Sequence, residues 1–144
     1  MPACCADAQC VHLYVTSYPG RVDQIRRMRR ELTALLEDCP AADEIVLCAS
    51  ELAANAVWHS RSRRPGGTFT LQVEVSRGDY VRIAIDDDGG PWAEADCGLD
   101  RGRGLVIVAA LTADWGVAAG PAGRSVWAWF DWPASSWVPP GGAS

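Results

Sequence analysis

Lysine is missing from this chain: all 13 basic residues are arginine. Any phosphate held here must be met by backbone N–H groups, arginine or a metal ion. Histidine is scarce, with only His12 and His59. The cysteines at 4, 5, 10, 39, 48 and 97 fit no usual zinc spacing, and no histidine pair supports one. In a reducing compartment they are expected to be free thiols. No apolar run approaches transmembrane length. The first residues lack the charged-then-apolar pattern of a secretory leader. A cytoplasmic protein with no membrane contact is therefore expected. Net charge is -5, which speaks against a general nucleic-acid binder. Arg26, Arg27, Arg29 and Arg30, and then Arg61, Arg63 and Arg64, read as solvated basic faces. Internal repeats are absent.

The 144 residues suit one domain with a sizeable core. Residues 1–9 read as a tail, 10–132 as the domain, and 133–144 as a disordered tail rich in Pro, Gly and Ser. Val11 to Thr16 can form a strand. Val22, Ile25, Met28, Leu32, Leu35 and Leu36 recur at helical spacing, and that helix stops before Pro40. A second helix starts near Asp43, a good N-cap residue, and runs to about His59. Its buried stripe is Ile45, Ala49, Leu52 and Ala56, with Cys48 on the apolar side. Thr68 to Val75 and Tyr80 to Ile85 alternate in polarity around Ser76-Arg77-Gly78-Asp79, a hairpin signal. A third helix spans Gly104 to about Ala113. Two strands follow, Trp115 to Ala119 and Arg124 to Trp132. The order β-α-α-β-β-α-β-β predicts an α+β two-layer sandwich. Trp127 and Trp129 share one side of the last strand, and Val126, Ala128 and Phe130 share the other. The tryptophan side reads either as an exposed interface or as packed core.

Three segments carry chemistry. In Glu51-Leu-Ala-Ala-Asn55-Ala-Val-Trp-His59 a carboxylate and a carboxamide stand four residues apart, on one face of a helix. Asp86-Asp87-Asp88-Gly89-Gly90-Pro91 is a strand running into a loop. Gly102-Arg103-Gly104-Leu105 is a glycine turn opening a helix, where exposed N–H groups favour phosphate. The acidic loop from Gly89 to Arg101, between the last two segments, is long enough to suggest function.

On these residues the chain resembles the GHKL, or Bergerat-fold, ATP-binding proteins, and within them the serine/threonine-kinase anti-sigma factors and their stand-alone relatives. The likeness in layout covers roughly Val11 to Trp132. It implies a two-layer α/β sandwich with a mixed, mostly antiparallel sheet and helices on one face. It implies ATP and Mg2+ as cofactors. Asn55 matches the family's Mg2+ ligand and Glu51 its general base. Asp87, followed by Asp88-Gly89, matches the adenine reader, although Asp86 and Asp88 leave a one-residue shift open. Gly102, Arg103 and Gly104 match the phosphate cradle, and Ser125 a hydroxyl near the adenine. The loop Gly89 to Arg101 corresponds to the ATP lid, where Gly89-Gly90-Pro91 departs from the more usual Gly-x-Gly. His59, one turn beyond Asn55, reads as a phosphate contact, a group orienting Glu51, or a plain helix-end histidine.

The resemblance further implies a sigma factor and an anti-anti-sigma antagonist as partners, with phosphoryl transfer to a serine of the antagonist. A homodimer is left open. The alternative from the same motifs is a nucleotide-gated binding module without significant kinase activity. A detached histidine-kinase domain is disfavoured, because no dimerisation helix carries a phosphoacceptor histidine.

Overall fold

The computed structural model describes residues 10–59, 64–88, 107–120 and 123–132. Strand β1 (Val11–Pro19) is followed by helices α1 (Val22–Leu35) and α2 (Ala42–His59). The hairpin β2 (Thr68–Ser76) and β3 (Tyr80–Asp87) comes next, then β4 (Asp114–Gly120) and β5 (Gly123–Asp131). Residues 107–111 are helical, and Val108 there is fully buried. No described helix is long and apolar enough to cross a membrane.

The strands form one sheet in the order β1-β2-β3-β5-β4. Every strand pair among the described residues is antiparallel, more uniform than the mixed sheet expected. The order follows from the connections. Short turns join β2 to β3 and β4 to β5, as antiparallel neighbours allow. Helices α1 and α2 lead the chain from β1 into β2, its antiparallel neighbour.

The core lies between sheet and helices. Met28 and Leu32 of α1, and Ile45, Cys48, Ala49, Leu52 and Ala56 of α2, meet Phe69, Leu71, Val73, Ile83, Ile85 and Phe130 of the sheet. The anticipated stripe of α2 is thus buried in full. Val22, anticipated on the buried face of α1, is half exposed instead, at the first turn of the helix. Asp43, expected as N-cap, lies inside the first turn of α2 beside Glu44. Two carboxylates there favourably face the positive end of the helix dipole.

Strand β1 runs three residues beyond the expected Thr16. Its far end is held by Tyr18, which is 1% exposed, stacks on Phe69 at 5.4 Å and donates to Glu31 at 2.6 Å. The hairpin turn has the form expected. Asp79 N–H donates to Ser76 O at 2.9 Å, and Gly78 takes φ +83°, a conformation that glycine adopts without strain. Arg77 leaves this turn to clasp Asp38 with two hydrogen bonds of 2.7 and 3.1 Å, tying the hairpin to the link between α1 and α2.

On the outward face of the sheet the tryptophans pack against polar and aromatic neighbours. Trp129 stacks on Tyr80 at 4.0 Å, and the Arg82 guanidinium lies over Trp127 at 5.6 Å. Gly116 provides the floor, since a Cβ there would sit 2.7 Å from the Trp127 ring. Both tryptophans are half-buried by neighbours on their own face, and among the described residues no helix covers them.

Cys48 is fully buried, and loss of water around it, then the carboxylates of Glu51 and Glu44, push its thiol up to about 12. Burial also pushes the Cys39 thiol up. Because the thiolate is the reactive form, iodoacetamide at neutral pH is expected to modify Cys10, which is partly exposed, well before Cys39 or Cys48. Peptide mass mapping of the native protein checks this, and early labelling of Cys48 would contradict the packing described.

Candidate functional site

Helix α2 packs across β3. Glu51 and Asn55 are one turn apart on α2 and both are half-buried. Leu52, Ala53 and Ala56 between and beside them are buried against the sheet. The two polar side chains therefore stand at the border of the helix–sheet interface, where the apolar stripe gives way to solvent.

Strand β3 separates the three aspartates by simple alternation. Val81, Ile83, Ile85 and Asp87 are buried on the helix side. Asp86 points to the other face, where its Oδ2 accepts 2.6 Å from Gln72 Nε2. Asp88 is exposed, and its Oδ2 accepts the Thr68 backbone N–H at 3.1 Å. Of the three, Asp87 alone faces the side on which α2 lies.

Asp87 is not a lone carboxylate. It is in register with Arg124 of β5. Arg124 Nε–H and Nη2–H both donate to Asp87 Oδ2, at 3.1 and 2.9 Å. The side chains are 4% and 2% exposed. Gly123 precedes Arg124, and a Cβ there would collide with the carbonyl oxygen of Asp87. Only glycine lets the two backbones approach this closely.

Arg124, the partner of Asp87, was not singled out by the sequence reading, whereas Ser125 was. Ser125 pairs with Asp86 and lies on the face of Trp127 and Trp129. It is therefore on the opposite side of the sheet from Asp87. The signal was present, because an alternation that sends Trp127 and Trp129 outward also sends Ser125 outward and Arg124 inward.

Gly89, Gly102, Arg103 and Gly104, and the whole loop from Gly89 to Arg101, lie outside the described residues. His59 ends α2, but its side chain lies outside them too. The residues brought to one side of the molecule are thus Glu51, Asn55, Asp87 and Arg124. Helix α2 contributes a carboxylate and an amide, and the end of β3 contributes a buried carboxylate, all on the helix side of the sheet.

The described residues form an antiparallel sheet backed on one face by helices. The sequence model of the histidine kinase-like ATPase domain matches residues 18–130, and the chain belongs to that family. No curated protein matches it significantly. Among solved structures it is similar to the RsbU and RsbW domains of Rv1364c from Mycobacterium tuberculosis, with 17% identity and a TM-score of 0.66. That match covers 85% of this chain and 33% of the other, so the chain spans about a third of the length of its solved relative. At this identity the likeness is one of fold.

Removing one member of a buried ion pair strands the other's charge. Asp87→Asn is therefore expected to lower the unfolding free energy by about 3 kcal/mol. Asp86→Asn, which alters a partly buried bond to a neutral amide, should cost about 1 kcal/mol. Urea unfolding of both variants measures the difference, and equal losses would mean that the pair with Arg124 contributes nothing special.

Proposed function

We propose that this chain is a Mg-ATP-binding regulatory protein that transfers the γ-phosphoryl group to a serine or threonine hydroxyl of a partner protein, in the manner of an anti-sigma factor kinase. The observation that carries the reading is the placement of Glu51 and Asn55 on the border of α2, packed across the strand that ends in Asp87. Membership of the histidine kinase-like ATPase family supports the nucleotide. The sigma factor and antagonist as partners rest on the motif resemblance alone.

Asn55 suits the metal. Among the described residues no cluster of three His, Cys, Asp or Glu could form a metal cage. Mg2+ carried on phosphates needs only one or two protein oxygens and keeps its waters, and a carboxamide oxygen supplies one. When bound, the ion neutralises charge on the phosphates. Glu51, one turn away, accepts the proton of the attacking hydroxyl as the new O–P bond forms and the bond to the ADP oxygen breaks. Asp87 receives the base on the helix side of β3. Gly102, Arg103 and Gly104 would meet the phosphates, a task that no lysine can take in this chain.

Calorimetry with ATP is expected to show binding that EDTA weakens and that Asn55→Ala weakens about tenfold, or ~1.4 kcal/mol. Glu51→Gln should keep that affinity while lowering phosphoryl transfer to an antagonist protein by about 10². Affinities unchanged by EDTA and by Asn55→Ala would remove the metal role. ATP binding with no transfer in the wild type would leave a nucleotide-gated binding module.

A further inference from the structure

We propose that Arg124 sets the affinity of the base subsite by competing with the nucleotide base for the carboxylate of Asp87. The inference rests on the nucleotide reading above and adds a residue to it. The sequence reading placed a small hydroxyl, Ser125, beside the base. The strand register puts a guanidinium there instead.

The competition follows from burial and from chemistry. With its side chain 2% exposed, Asp87 accepts nothing from an incoming ligand until a neighbour moves. Arg124 is such a neighbour, since two of its N–H groups rest on one oxygen of that carboxylate. Those bonds are charge-assisted and roughly twice as strong as neutral ones. The exocyclic amino group of a base is a neutral donor, so replacing Arg124 with a base trades strong bonds for weaker ones. Opening is nevertheless accessible. Arg124 stands second in β5, and its long side chain regains hydration when the guanidinium turns to water. The cost falls on the base and not on the phosphates, so ADP and ATP bear it equally.

Neutral residues at 124 should therefore strengthen binding. Without the guanidinium, the base amino group meets one competitor fewer for the buried Asp87 carboxylate. Calorimetry of the full chain with Mg-ADP and Mg-ATP should give affinities at least fivefold tighter for Arg124→Thr and Arg124→Gln than for wild type, by the same factor for both nucleotides. Circular dichroism confirms that the variants are folded. Wild-type protein supplies an independent reading: the Arg124 Nε–H resonance should shift when ADP saturates the protein. Equal or weaker binding by the folded variants, or an unshifted Nε–H resonance at saturation, overturns the proposal and leaves the nucleotide reading standing. If neither wild type nor variants bind ADP, the nucleotide reading falls and this proposal with it.

Discussion

The two-residue pleat of β3 is the constraint on which the rest depends. It is the middle strand of the sheet order and pairs on both edges, with β2 and with β5. One parity of its residues builds the core against α2, and the same parity ends in Asp87. A slip of one residue would send Val81, Ile83 and Ile85 to solvent, at roughly 1.5–3 kcal/mol for each apolar side chain exposed. Core packing thus chooses the aspartate that faces the helices. The chemistry of the strand end inherits its geometry from hydrophobic burial several residues away.

Most of the architecture was readable from periodicity. The stripe of α2, the hairpin turn at Gly78 and the two faces of β5 all rest on local rules, and local rules suffice where burial agrees with them. The misreadings have a common cause. β1 extends to Pro19 because Tyr18 finds Phe69 on a strand roughly fifty residues later, a contact that no local pattern displays. Ser125 was matched to a family hydroxyl, and the parity of β5 sets it on the face of the tryptophans, which the match alone did not display. Arg124 was passed over because a charged residue inside a strand reads as solvent-facing until a buried carboxylate appears opposite it. Glu51 and Asn55 were visible as a spacing, but their position at the border of the core depends on how α2 crosses β3.

The arginine-only basic complement has a structural counterpart. Arg77 grips Asp38 with two donors, Arg82 covers Trp127, and Arg124 places two donors on one oxygen. Each arrangement uses the planar guanidinium, with its fixed fork or its flat face. The ammonium of lysine, a compact and strongly hydrated charge, reproduces none of them well. The residue type that the chain favours is thus also the one that its ties between elements require.

The Asp87–Arg124 pair also has a topological meaning. Its members are 37 residues apart, and each belongs to a different hairpin, β2–β3 or β4–β5. The hairpins close over short turns, whereas joining them closes a much longer segment, at a greater entropic cost. Neither hairpin alone contains both members of the pair. The pair comes into being at the seam where the two local units meet, so the chain completes it with long-range assembly and not with the folding of either half.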